Sequence, residues 1–311
     1  SYDPENKYSV PYTWGTLGII YNTKYVDEAD VTGWELLWNE KYAGKILMFD
    51  NSRDAFGIAE YLLGYDVNTT DEAELQACSA KLAEQKPVVQ QYVMDQIFDA
   101  MENEEAWIAP YYAGDYLTMV EENPDLAFVQ PEEGSNLFVD AMCIPTCSKN
   151  YEDALAFINF MCRDDIVLRN CEETGYSCPS ATALEEMDEE MSADPVAYPG
   201  ADILDKAETF GGLPEETLTF YDHEWIRICE EHGLIRSMSA KGCSPDNAAA
   251  EGFFGRLKNE FYHGRDWRGV GYEEFRERLA AYLTHYNETR IKKSLDWMSP
   301  LQYRKHLGLA A

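Results

Sequence analysis

Two stretches of this chain set ring faces and carboxylates at spacings that suit a cationic ligand. In NLFVDAMCIP, strand alternation puts Phe138 and Asp140 on one face. A ring face attracts an alkyl-ammonium group, and a carboxylate hydrogen-bonds and neutralises it. The same spacing equally fits a core phenylalanine beside a structural aspartate. Asn51 and Asp54 lie three apart where an apolar run gives way to a helical pattern. They either face a cleft above the strand end or act as a helix cap with a first-turn acid. Tyr111 and Tyr112 end another apolar run and either line that cleft or join the core. A third constellation lies toward the C-terminus, where Asn247, Glu251, Gly255 and Lys258 share one helical face opposite a set of phenylalanines. A carboxylate beside basic residues suits a divalent metal near DNA phosphate, and a surface helix laced with salt bridges gives the same pattern.

The elements that must hold these residues follow from periodicity. From Lys7 to about Met161, short apolar runs alternate with helical patterns, the rhythm of an α/β domain. Ile46–Phe49 reads as a buried strand, and Asp50 or Asn51 caps a helix through Ala55, Ile58, Ala59 and Leu62. A helix is predicted over Leu75–Ala83, with strands over Trp107–Tyr112, Leu126–Val129 and Asn136–Pro145. Ala154, Phe157, Ile158 and Met161 form the stripe of a further helix, and the acidic run Glu185–Asp194 reads as a solvated linker or surface helix. Beyond about Trp225 the texture changes. Asp246 or Asn247 caps a helix bearing Phe253, Phe254, Leu257 and Phe261, another carries Phe275, Leu279, Tyr282, Leu283 and Tyr286, and Ser299, Pro300 and Gln302 form a capping box.

Charge marks the same boundary. Residues 1–228 hold 12 Lys+Arg against 46 Asp+Glu, a balance of −34, whereas residues 229–311 hold 13 against 11, a balance of +2. With 311 residues and 45% hydrophobic content the chain can bury a sizeable core and is long enough for two domains. No run of eighteen or more apolar residues offers a membrane-spanning helix. The opening residues, SYDPENKYSVPY, read as mid-domain sequence without a targeting segment, which would place any leader upstream. The eight cysteines include no C-x-x-C pair, so no zinc site is expected, and Cys143 and Cys147 are predicted to be small buried thiols.

Several blocks in order, YSVPYTWG, WELLWNEKYAGKILMFDNSRDAFG, LGYDVNTTDEAEL, FVDAMCIPTCSKNYEDALAFINFM and ETGYSCPS, resemble the spermidine/putrescine-binding proteins of polyamine ABC importers. The resemblance covers residues 1–225. It implies a type II periplasmic-binding-protein fold, two α/β lobes enclosing a polyamine, no cofactor, membrane subunits of the importer as partners, and a periplasmic or cell-surface location. By position, Asn51 and Asp54 match an acidic pair that holds ammonium groups, with Asn51 departing from the acid often found there. Tyr111 and Phe138 match aromatic walls, Asp140 matches the carboxylate that grips an amine, and Phe210 falls where a polar contact is found. The match begins mid-family, so most of the first lobe is expected to be missing, polyamine affinity to be weaker than in an intact relative, and the helix through Phe157 and Met161 to expose apolar surface.

The tail, residues 226–311, is similar to the end of the integrase-type catalytic domain of IS3-type transposases in SMSAKGCSPDNAAAEGFFGRLKNEFY and YLTHYNETRIKKSLDWMSPLQYRKHLGL. That resemblance implies a ribonuclease-H-like fragment, an Asp-Asp-Glu triad using Mg²⁺, and cytoplasmic DNA as substrate. Glu251 takes the final glutamate's position, and Arg256, Lys258, Arg290, Lys292 and Lys293 are the candidate DNA contacts. The nearer of the other carboxylates should lie about 35 residues earlier, but that count reaches Glu215 and Glu216 in the transporter-like part. Two expectations compete, a polyamine binder with a transposase remnant and a DNA-integration protein with an incomplete triad.

A lone glutamate does not hold two metal ions, so no strand transfer is expected from this chain. An end-joining assay on insertion-sequence DNA with Mg²⁺ or Mn²⁺ checks it, and joining that Glu251→Gln abolishes would sink the expectation.

Overall fold

The computed structural model describes residues 3, 5–230, 256–263, 265, 267, 270–292, 295 and 297–306, excluding the side chains of 229, 230, 272 and 273. The chain divides into two compact units, Ser1–Ile235 and Arg236–Ala311.

In the first unit one long strand, β1 (Val10–Asn22), organises a mixed sheet. The other strands are β2 (Ile46–Phe49), β3 (Val89–Val93), β4 (Ile108–Tyr112), β5 (Leu126–Val129), β6 (Ser135–Met142) and β7 (Ala207–Glu208). Their order is β3-β2-β4-β1-β6-β7, with β5 also paired to β1. The first half of β1 runs antiparallel to β6, from Val10 opposite Met142 to Thr16 opposite Leu137. Its second half pairs antiparallel with β4 and with β5. β2 runs parallel to β3 and β4, and all four of its residues are buried, which is why it reads as an unbroken apolar run.

Helices α1 (Ser52–Leu63) and α2 (Glu72–Gln85) follow β2. Asn51 caps α1, its Oδ1 accepting from the N–H of Arg53 at 2.9 Å, and Gly64 ends it in the left-handed region at φ 73°. Next come α3 (Ile97–Glu102), α4 (Ala113–Glu122), α5 (Tyr151–Met161) and α6 (Asp164–Thr174). The acidic run folds into single turns, α7 (Ala181–Glu186) and α8 (Glu189–Ser192), before α9 (Ala201–Leu204). Helix α10 (Glu215–Glu230) docks on α1 and α2. Tyr221, Trp225 and Ile228, at i, i+4 and i+7, are all fully buried in the main core. Tyr221 stacks on Phe56 with centroids 4.5 Å apart, and Trp225 meets Tyr92 edge-on at 5.1 Å.

Two expectations need correction. Cys143 and Cys147 are exposed, not buried. β6 ends at Met142 instead of continuing to Pro145, because β1 offers its last partner there at Val10, and residues 143–147 leave the sheet with no layer over them. The apolar stripe of α5 is only partly covered: Ile158 is buried, while Phe157 is 60% and Phe160 43% exposed.

In the second unit a π-helical turn (Lys258–Tyr262) is followed by α11 (Tyr272–Glu288) and α12 (Pro300–His306). Phe261 is buried against Trp267, Phe275 and Tyr282 at 5.1, 5.6 and 5.5 Å. The capping box at α12 is formed as the sequence implies: Ser299 Oγ accepts from Gln302 N–H at 3.3 Å, and Gln302 Oε1 accepts from Ser299 N–H at 3.0 Å. The helix expected around Phe253 and Phe254, with its cap at Asp246 or Asn247, falls outside the described residues.

Glu60 is fully buried between α1 and α10. Tyr221 donates its hydroxyl to Oε1 at 2.6 Å, while Oε2 lacks a hydrogen-bond partner and stands 3.8 Å from the Arg53 guanidinium. Burial outweighs both the Tyr221 hydrogen bond and the Arg53 charge and pushes the carboxyl up to about 7. A carboxyl raised on folding favours the folded state while protonated and loses that stability as pH rises through the folded value. Glu60→Gln imitates the protonated form, so thermal unfolding should show the variant gaining on the wild type, on the order of 1–3 kcal/mol, between about pH 5 and pH 8.5. A stability difference that does not change with pH would refute this.

Candidate functional site

The site forms where the end of β4 and the middle of β6 meet the first turns of α1 and α4. Asp54 projects from the first turn of α1. Its Oδ2 accepts from Asn51 Nδ2 at 2.7 Å and from the Tyr112 hydroxyl at 3.2 Å. Burial pushes Asp54 up to about 6, against the opposing pull of Tyr112 and Arg53. The ring of Tyr112 meets Phe138 edge-on, centroids 5.2 Å apart, and Phe138 meets Tyr176 edge-on at 6.0 Å. At the far end of this row the Tyr176 hydroxyl donates to Asp115 Oδ2 at 2.9 Å. Asp115 is also raised to about 6, first by burial and then by the charges of Asp95 and Asp140, while the Tyr176 bond lowers it. The result is three rings in file with a tyrosine-bonded carboxyl at either end.

Two glycines make room for this row. A Cβ on Gly15, the residue paired with Phe138 across β1 and β6, would stand 2.9 Å from the Phe138 ring. A Cβ on Gly114 would stand 2.6 Å from the Tyr176 ring. Backbone alone lies beneath these rings, and any side chain there would lift them.

Asn51, Asp54 and Phe138 thus come together, and Asp140 shares Phe138's side of β6, exposed, with its Oδ2 accepting from Thr13 Oγ1 at 3.0 Å. Phe49 lies 5.6 Å from both tyrosine rings, but Tyr111, opposite Gly18, is 3% exposed, and it is Tyr112, opposite Leu17, that makes the contacts to Asp54 and Phe138. Phe210 lies against α1, its ring 4.1 Å from the Arg53 guanidinium and close over Gly57. Asp115 and Tyr176 were not singled out from the sequence. The one available signal is Asp115 in the first turn of the helix that Tyr112 precedes.

In the second unit Arg290 grips Glu260 with two nitrogens, Nε at 2.9 Å and Nη2 at 2.5 Å, and Arg256 stands 3.9 Å from the same carboxylate. Arg290 holds Glu260 below the usual carboxylate range. Lys292 lies 4.2 Å from the Tyr286 centroid and donates to its hydroxyl, while Lys258 is exposed. Glu251 and Lys293 fall outside the described residues. Among the described residues no group of three or more His, Cys, Asp or Glu is placed to hold a metal ion.

Residues 1–207 match the bacterial extracellular solute-binding protein family, and residues 251–307 match the integrase core domain. The spermidine/putrescine-binding periplasmic protein of Salmonella typhimurium is 33% identical over 207 residues, 67% of this chain and 60% of its own length. This chain therefore spans about three fifths of that curated relative. The spermidine/putrescine ABC transporter substrate-binding protein PotD of Streptococcus pneumoniae, solved with calcium and HEPES, superimposes with a TM-score of 0.66 at 36% identity, covering 73% of this chain and 70% of that one. For the tail, the Shigella flexneri protein named "Probable transposase for insertion sequence element IS1353" is 55% identical over 85 residues, 27% of this chain and 16% of its own length. A solute-binding segment and an integrase core segment are thus joined in one polypeptide, and by the larger of them the chain belongs to the bacterial extracellular solute-binding protein family.

Proposed function

We propose that the first unit binds a polyamine, putrescine or spermidine, as the solute-binding component of an ABC importer. It would act in the periplasm or at the cell surface and hand its ligand to the importer's membrane subunits. The observation that carries this reading is the ring row Tyr112–Phe138–Tyr176 flanked by Asp54 and Asp115, with Asp140 beside it. Ring faces attract an alkyl-ammonium and cover its methylenes, and the carboxylates supply charge-assisted hydrogen bonds. A metal ion would make no use of the rings, and a neutral sugar would leave the carboxylate charges uncompensated. Asp54 and Asp115 are both raised by burial, so an arriving ammonium replaces the lost hydration and favours their ionised forms. No cofactor is needed for such binding. Among the described residues no helix is long and apolar enough to cross a membrane.

DNA integration is the alternative function, favoured by the tail's match to the integrase core. Against it, Arg290 is already paired with Glu260, and the first 228 residues carry a balance of −34 that would repel phosphate.

Calorimetric titration of the whole chain with putrescine and spermidine tests the first reading. Asp140→Ala should weaken both ligands by roughly tenfold or more, the loss of one charge-assisted contact. Affinity should also rise with pH through about 6, because below that value Asp54 and Asp115 must release protons before they can accept from an ammonium. Absence of binding, or binding indifferent to both Asp140→Ala and pH, would count against the assignment.

A further inference from the structure

Cys171 sits in the last turn of α6, and Gly175, left-handed at φ 71°, ends that helix with its N–H on the Cys171 carbonyl at 2.9 Å. The chain turns there, and the residues that follow are pinned in place. Ser177 exchanges two backbone hydrogen bonds with Trp14 of β1, at 3.1 and 3.2 Å. Trp14 Nε1 donates to the Cys178 carbonyl at 3.0 Å, and the Cys178 N–H donates to the Tyr198 hydroxyl at 3.0 Å. Both sulfurs are thereby brought into one small core of Val167, Cys171, Cys178 and Ala183, separate from the main core of the unit. The two side chains hydrogen-bond to each other there, and Cys178 Sγ also accepts from the Ser180 N–H at 3.4 Å. Burial pushes a thiol up, as it does at Cys78. Cys178 goes the other way, because the Cys171 hydrogen bond and then the Ser180 N–H favour its thiolate. Cys171 also lines a cavity of about 290 Å³ beside Leu117, Tyr176 and Tyr198, which gives the pair an approach from outside.

We propose that Cys171 and Cys178 are a disulfide-forming pair, oxidised in the folded protein by thiol–disulfide exchange, whose bond closes a ring of chain containing Tyr176. The co-reactant is a disulfide donor, of the kind an oxidising compartment provides. The Cys178 thiolate attacks one donor sulfur and releases the first donor thiolate. Cys171 then gives up its proton and attacks Cys178 Sγ, releasing the second. Two protons and two electrons leave the pair, one S–S bond forms, and the donor is reduced to two thiols. The cross-link ties α6 to the segment that runs beside β1, and it does so whatever the ring row binds.

The whole chain, freed of reductant, is incubated with glutathione disulfide, and the remaining thiols are alkylated in denaturant. Cleavage after Glu172 or Glu173 separates the two cysteines unless a disulfide joins them, so mass spectrometry of the digest reads the pairing directly. The Cys171–Cys178 linked peptide should predominate over any pairing of the exposed Cys143, Cys147 and Cys162. Oxidation should also raise the thermal midpoint by roughly 5 °C, reversibly with dithiothreitol, and Cys171→Ser should remove that response. The mapping uses the wild type, so it stands even if the variant does not fold. Recovery of Cys171 and Cys178 as alkylated thiols, as separate glutathione adducts or linked to other cysteines would overturn the proposal, as would a midpoint shift that Cys171→Ser leaves intact.

Discussion

The register of β1 is the constraint on which the site depends. Thirteen residues of continuous strand pair with β6 along their first half and with β4 and β5 along their second. Thr13 and Gly15 lie opposite Asp140 and Phe138, while Leu17 and Gly18 lie opposite Tyr112 and Tyr111. The candidate-site residues of two strands far apart in sequence are therefore indexed against one ruler. Side chains alternate with a period of two, so a one-residue slip against β6 would send Phe138 and Asp140 to the other face and bring a side chain under the ring row in place of Gly15. The bulge between Pro11 and Thr13 lies outside the Gly15–Phe138 pair and leaves the indexing at that pair intact.

Electrostatics constrain the same region from another direction. Asp54 and Asp115 are held partly out of water beside aromatic rings, an arrangement that disfavours their charged forms until a cation arrives. Glu60 is a different case. It is sealed between two helices, bonded to Tyr221, and contributes to the helix packing on which α10 docks. The three carboxyls share a cause, loss of hydration, yet only Asp54 and Asp115 stand at the ring row where a ligand could supply the missing charge.

Much of this was legible from periodicity. β2 announces itself as an unbroken apolar run because a parallel strand covered on both faces has no polar side, and the Ser299–Gln302 box is a local motif that needs no tertiary information. Phe138 and Asp140 share a face by strand alternation alone. Other features were hidden because they are set by partners distant in sequence. Tyr111 and Tyr112 are adjacent and chemically alike, and only the register against β1 decides which ring faces Asp54. Asp115 resembles any first-turn acid until Tyr176, 61 residues on, is seen to bond it. The exposure of Cys143 and Cys147 depends on where β1 begins, which no local pattern near those cysteines encodes.

Helix α10 lies between the two family matches, which end at residue 207 and resume at 251. It runs without a break through residue 225, and Ile228, three residues beyond Trp225, is buried in the same core. Residues 208–250 fall in neither match, yet the helix within them keeps one packed phase from Tyr221 through Trp225 to Ile228. The core that holds the matched segment is thus closed by residues beyond the match, and a chain cut at residue 207 would strip Tyr221, Trp225 and Ile228 from it.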